Sequence, residues 1–293
     1  MKSLYALLVG INDYQAPLAQ LRGCRKDVAQ IEGFLDKYMA SSLDIHLKKL
    51  LDREATYTGI VTAFRNHLSL AGPGDVIWFH FSGHGSEEPT ADDFLSIEPN
   101  GKDQNLICYP DPDGPSDYLA DKELAVLLHQ LEQKHTGEDR PHILVSLDCC
   151  HSGSGTRSAV SAPDIVTRNA PTQGIKRTLA SYADGFYAQR QGQLQVPVAS
   201  HLVLSACESV ERAGDLPQGG AFTTGLVNAL EQAKGMISYN DLYLQARASV
   251  RKILKTQTPK FATIGSFDPY TRFLDGSPMG SPILYEIQQK DNG

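Results

Sequence analysis

Short apolar runs alternate with helix-period segments through the first half of the chain, and this alternation restricts the fold more than any other feature. "LYALLVGI" (4–11), "DIHLKKLLD" (44–52), "DVIWFHFSG" (75–83) and "HILVSLD" (142–148) read as strands. Near-continuous apolar runs such as the first are typical of strands buried on both faces. Between them, Val28, Ile31, Phe34, Leu35 and Tyr38 fall on one helical face, as do Ile60, Val61, Phe64 and Leu68. Leu124, Leu127, Leu128 and Leu131 repeat the pattern at i, i+3, i+4, i+7. The order β-α-β-α-β-loop-α-β predicts an α/β fold, a mostly parallel central sheet with helices on both faces. Right-handed crossovers bring the C-terminal ends of such strands to one edge, where ligands bind.

Two strands end at that edge on reactive clusters. "FHFSGHGS" (79–86) ends on His84, and "LVSLDCCHSG" (144–153) on Cys149 and Cys150. Side chains two apart share a face of a strand, so Asp148 goes with Cys150, which favours Cys150 over Cys149 as the thiol in the crevice. A thiol becomes a nucleophile when a histidine takes its proton, and His84 is the candidate. The flanking glycines allow close approach of a substrate, and the N–H groups of Gly85 and Cys150 are the expected oxyanion donors. No third triad residue is evident. His80, mid-strand, reads as a core histidine, and His151 as structural. Zinc is disfavoured: adjacent cysteines chelate one tetrahedral ion poorly, and H-x₃-H on a strand spreads the rings by about 13 Å.

The remaining composition narrows the class. The 293 residues suffice for one large domain or two small ones, and the net charge of −7 without a basic block argues against nucleic-acid binding. The N-terminal apolar run is too short for a membrane span and lacks a signal-peptide pattern. Together with an odd count of five cysteines this suggests free thiols and a cytoplasmic location, with no membrane partner. Residues 151–199 are rich in Ser, Gly, Ala, Thr and Gln without a period, and read as a long functional or disordered loop. Order resumes with a strand at 201–207, helices at 221–233 and 238–254, and a last strand at 260–267.

"YALLVGINDY", "LRGCRKDV", "FHFSGHGS", "LVSLDCCHSG" and "GGAFTTGLVNAL" resemble the metacaspases and orthocaspases, caspase-like cysteine peptidases. The resemblance implies a caspase–haemoglobinase fold. Residues 1–155 would be its large-subunit-like half, 156–199 a flexible connecting loop and 200–293 the small-subunit-like half. It makes His84 and Cys150 the catalytic pair. It also implies a first pocket for a substrate Arg or Lys, lined by Cys24, Asp27, Ser82 and Asp148. The two carboxylates suit a guanidinium on physical grounds as well. Arg157, Arg168, Lys176, Arg177 and Arg190 then become sites at which the enzyme could cut its own loop.

Many relatives in this family need calcium. Glu98, Asp103, Asp111, Asp113, Asp117 and Asp121 offer oxygen ligands here, with Asp103 and Asp121 the weak candidates. Where calcium-dependent relatives carry paired acids before the helix at 121, this chain reads Ala120–Asp121, and no cofactor is expected to be required. The reading is therefore an endopeptidase acting on peptides or proteins with Arg or Lys at the cleavage site. Its rival is a caspase-like peptide-binding scaffold with little turnover, against which the intact cysteine and histidine count. The sequence does not fix the oligomeric state.

Overall fold

The computed structural model describes residues 1–135, 140–151, 166–190, 194–207, 211, 213–265, 267–277 and 279. Six strands form the central sheet: β1 (Lys2–Gly10), β2 (Leu43–Leu51), β3 (Val76–Ser82), β7 (His142–Asp148), β9 (His201–Ser205) and β12 (Lys260–Ile264). Their spatial order is β12-β9-β7-β3-β1-β2, and all neighbours are parallel except β12 against β9. The sheet is therefore built from both halves of the chain.

Alternation along β1 divides the core in two. Leu4, Ala6 and Leu8 face one apolar cluster and Leu7 and Val9 the other, all fully buried. On the first side pack residues of α1 (Cys24–Phe34), α4 (Ala221–Gln232) and α5 (Tyr239–Ile253). On the second pack residues of α2 (Tyr57–Asn66) and α3 (Asp121–Gln133). Each large apolar side chain so buried is worth roughly 1.5–3 kcal/mol, so this double-faced core dominates the stability of the sheet. Local signals fix the helix starts: Thr56 Oγ1 accepts the Gly59 N–H of α2 at 3.0 Å, and Ser238 Oγ accepts the Asp241 N–H of α5 at 3.1 Å.

Two small sheets stand at the C-terminal edge of the large one. The first joins β4 (Gly85–Pro89), β5 (Lys102–Ile107) and β6 (Tyr118–Ala120). The second joins β8 (Val166–Thr167), β10 (Gly214–Leu216) and β11 (Gly219–Gly220). Neither is legible as a regular apolar period, because their strands are short and carry polar residues. The connecting segment, expected as a flexible loop, is packed over 166–190: Tyr182 and Tyr187 are buried against Phe94, with ring centroids 5.2 and 5.0 Å away. Aromatic anchors thus hold a stretch whose composition suggested disorder.

Candidate active site

Strands β3 and β7 run parallel with Ser82 opposite Asp148, so the chain leaves both strands at the same level of the same edge. Gly83 N–H still donates to Asp148 O at 3.3 Å. Two residues further on, the N–H groups of Gly85 and Cys150 both donate to one acceptor, the carbonyl oxygen of Arg168, each at 3.1 Å. These backbones touch so closely that a Cβ on Gly85 would lie 2.3 Å from Cys150 O. Glycine at 85 is thus required by close approach.

His84 lies between these contacts. Its Nε2 is 2.8 Å from Ala19 O, which can only accept, so Nε2 carries the proton. Nδ1 is buried with no hydrogen-bond partner and keeps its lone pair. The ring leans on Tyr14, centroids 4.6 Å apart, and the Tyr14 hydroxyl accepts the His84 N–H at 2.9 Å while donating to Ile107 O at 2.9 Å. Burial lowers the His84 pKa below its ordinary value, outweighing the Ala19 contact, and the imidazole is neutral at physiological pH. The orienting partner that no side chain in the sequence suggested is a backbone carbonyl.

The two cysteines diverge as alternation required. Cys149 belongs to the core cluster shared with α2 and α3, and burial pushes its thiol well above the usual range. Cys150 belongs to the opposite cluster and accepts the Ala213 N–H. Its sulfur lies against that of Cys207, with Cα atoms 6.6 Å apart. Cys24, Cys108 and Cys149 are free thiols, as expected, while Cys150 and Cys207 meet sulfur to sulfur. The cause is the sheet: β7 and β9 are neighbours with Leu147 opposite Ser205, and both chains turn off the edge together.

Beside this pair lies a closed acidic pocket, and the chain's own Arg168 fills it. Arg168 Nη2 is 2.8 Å from Asp27 Oδ2 and 2.8 Å from Asp215 Oδ1, and Nη1 is 3.1 Å from Asp148 Oδ2. Nε donates to Asp215 Oδ1 at 3.2 Å, and Nη1 to Ser82 Oγ at 2.8 Å. The Ser82 hydroxyl in turn donates to Asp27 Oδ2 at 2.6 Å. The guanidinium and all three carboxylates are buried. Each acid is held from outside: Asp27 accepts the Gly220 N–H, Asp148 the N–H and hydroxyl of Thr223 near the start of α4, and Asp215 the N–H groups of Arg22 and Gly23. Gly220 is needed for room, since a Cβ there would lie 2.5 Å from Arg168 Nη1. Burial pushes the Asp27 carboxyl up; Arg168 pulls it down and Asp148 pushes it up, and the balance stands at about 7. Cys24 sits fully buried beside this pocket.

The backbone around Arg168 is held like a bound strand. Its N–H donates to Ala213 O at 3.0 Å, Val166–Thr167 pair antiparallel with Gly214–Asp215, and Ala170 N–H donates to Gly85 O at 2.8 Å. An extended segment added to a sheet edge, with one side chain in a pocket, is how clefts of this kind grip a peptide.

A caspase domain model matches residues 3–267. The chain belongs to the caspase-domain family. It is 27% identical over 311 aligned residues to Metacaspase-1 of Lodderomyces elongisporus, covering 92% of this chain and 66% of that one. It is 30% identical over 159 residues to Metacaspase III c of Phaeodactylum tricornutum, covering 51% and 42%. The chain thus spans less than two thirds of the length of these metacaspases. Among solved structures it is similar to protein GSU0716 of Geobacter sulfurreducens, with TM-score 0.67, 25% identity and coverage of 91% and 95%.

The remaining expected residues separate clearly. Arg157 lies outside the described residues. Arg177 is committed to Glu123 through two contacts of 2.6 and 2.8 Å, Lys176 pairs with Asp92 at the surface, and Arg190 lies over the Phe186 ring. Asp215 was missed: it sits in "GDLPQGG", which reads as a turn between strand and helix, and only its lone acid between turn residues hinted at a role. His80 is a core histidine, with Nδ1 2.8 Å from Ser146 Oγ. Among the described residues, no helix is long and apolar enough to cross a membrane.

Three of the calcium candidates, Glu98, Asp103 and Asp121, come together, but around a nitrogen. Lys122 Nζ is 2.7 Å from Asp103 Oδ1, 3.4 Å from Asp121 Oδ1 and 3.8 Å from Glu98 Oε1. Calcium needs six to eight oxygens at about 2.3–2.6 Å, and here the ammonium, 2.7 Å from Asp103, already supplies the positive charge that the ion would bring. The residues present do not fit the ion.

Proposed function

We propose that this chain is a cysteine endopeptidase that cuts after arginine, and after lysine more slowly, and that the Arg168–Asn169 bond is its own first substrate. The observation that carries the reading is Arg168: its side chain neutralises the acidic pocket while its carbonyl oxygen accepts the two amides expected to hold an oxyanion. Both distances match what such donors require.

In this mechanism Cys150, as a free thiol, gives its proton to His84 Nδ1 and attacks the carbonyl carbon of the arginine. The carbonyl oxygen takes the charge and is held by the Gly85 and Cys150 N–H groups. The C–N bond then breaks, and the imidazolium returns the proton to the departing amide nitrogen. Water hydrolyses the thioester with His84 again as base. Ala19 O supports the tautomer this sequence of events needs. A nucleophilic thiol suits a reducing compartment, and we place the protein in the cytoplasm. On this view residues 1–155 and 200–293 are the two halves of one catalytic domain, joined by the segment that is cut.

Asp215 favours arginine over lysine. One of its oxygens accepts from both Nε and Nη2, an arrangement that only a planar guanidinium offers. The test is to express the wild type, Cys150→Ala and Arg168→Gln side by side under reducing conditions. Wild type should give fragments ending at Arg168 and starting at Asn169; neither variant should give that cut. The purified wild type should then hydrolyse fluorogenic peptides with arginine before the reporter faster than those with lysine, and those with aspartate not at all. Identical fragments from wild type and Cys150→Ala would overturn the self-cleavage, and preference for aspartate would overturn the pocket. A protein that binds arginine peptides without hydrolysing them would be the scaffold instead.

A further inference from the structure

The ammonium among Asp103, Asp121 and Glu98 is unusual for its burial: the side chains of Lys122 and Asp103 are each only 2% exposed. Lysine is rarely buried unless paired. Burial pulls the Lys122 pKa down, but Asp121 and Asp103 outweigh it, so the side chain stays charged. The Nζ also lies 5.3 Å from the centroid of the Phe94 ring. Around it converge several separate stretches. Glu98 comes from the turn before β5, Asp103 from β5 itself, and Asp121 and Lys122 from the first turn of α3. The connecting segment joins through Tyr182, whose hydroxyl donates to Asp103 Oδ2, and Tyr187, whose hydroxyl donates to Lys122 O at 2.8 Å.

This cluster reaches the cleft through one strand. Asp103 lies three residues before Leu106 on β5, and Leu106 is paired with Gly85, the residue whose N–H meets the Arg168 carbonyl. What fixes β5 also fixes an expected oxyanion donor.

We infer that Lys122 is a resident cation, supplying from within the chain the positive charge that a divalent ion would otherwise bring to these carboxylates, and that folding and catalysis therefore need no calcium. The ammonium is permanent because it is anchored at the second residue of a helix. A bound ion exchanges with solvent; this charge does not. Only the activity arm of the test rests on the peptidase reading.

Calcium chloride is titrated calorimetrically into the full wild-type chain, Lys122→Met and Lys122→Asp, and each is melted in chelator and in millimolar calcium. Hydrolysis of an arginine peptide is followed in parallel. Wild type should show no binding heat, the same melting temperature and the same rate in both solutions. Lys122→Met strips a buried carboxylate of its partner and should melt about 6–20 °C lower. Lys122→Asp should bind calcium and recover melting temperature with it. Calcium binding to the wild type, loss of its activity in chelator, or a Lys122→Met variant as stable as wild type would each overturn the inference. If the variants do not fold, the wild-type arms decide alone. A wild type without hydrolysis in any condition would sink the peptidase reading and leave the calorimetric and melting arms intact.

Discussion

Replacing Asp215 with asparagine isolates what makes the pocket prefer a guanidinium. The substitution keeps the shape and removes one charge next to Nε and Nη2, which now lie 3.2 and 2.8 Å from a single carboxylate oxygen. A hydrogen bond to a charged group is worth about 1.5–3 kcal/mol, so an arginine substrate should lose roughly ten- to a hundredfold in kcat/KM. A lysine substrate offers one nitrogen and nothing at the Nε position, so it depends on Asp215 less and should lose less. The ratio of arginine to lysine kcat/KM should therefore fall about tenfold. The assay compares matched fluorogenic peptides under reductant, with a melting curve as control. The control is needed because Asp215 also accepts the N–H groups of Arg22 and Gly23, at 2.7 and 3.0 Å, and an asparagine amide must face one donor with another. Equal losses for the two substrates would refute the reasoning, since Asp215 would then shape the pocket without reading the guanidinium.

Two further outcomes follow from the same geometry. Asp27 is held at about 7 with a guanidinium already beside it, and losing that guanidinium raises it, so by linkage arginine binds better as Asp27 ionises. The kcat/KM for an arginine peptide should thus rise with pH above about 7, and Asp27→Asn should remove that limb; His84, with its pKa lowered, titrates below it. A limb unchanged in Asp27→Asn would show that another group controls it. Because the Cys150 and Cys207 sulfurs are neighbours with Cα atoms 6.6 Å apart, oxidation should link them: oxidised protein should be inactive and regain activity with a thiol reductant, while Cys207→Ala should stay active without it. Equal reductant dependence in that variant would show that Cys207 is not the partner that matters.

Periodicity is the reason the large sheet could be read from sequence. Four of its strands, β1, β3, β7 and β9, are largely buried apolar runs, and the helices carry apolar residues at an interval of about 3.6; the edge strands β2 and β12 are more exposed. The strand ends at His84 and Cys150 were legible for the same reason, since topology brings parallel strand ends to one edge. The small sheets were not, because they bury little and are defined by pairings such as Gly85 with Leu106 and Gly214 with Thr167. The site elements that escaped were those without a side-chain signature. Ala19 acts through its carbonyl. Asp215 acts from a turn, brought to the pocket only when β8 and β10 pair. Arg168 was one of five basic residues in a single segment, and only its contacts distinguish it from Arg177, which has the same chemistry and a structural partner.

Arg168 and Lys122 answer the same physical problem in two ways. Arg168 neutralises three buried carboxylates and Lys122 the buried Asp103, which would be costly to leave without counter-charge. Lys122 is fixed in α3, so its cluster behaves as a permanent part of the scaffold. Arg168 directly follows the short strand β8 and its carbonyl accepts the Gly85 and Cys150 N–H groups, so on the proposed reading its cluster is filled by something the chain can sever. The acids at 27, 148 and 215 are then stable in the uncut chain because Arg168 is present. If the proposed cut releases it, they would become a binding site, and any occupant that replaces it would have to bring an equivalent cation. The proposed selectivity for basic residues would in this sense be a consequence of stability: the pocket would accept what the folded state already requires there.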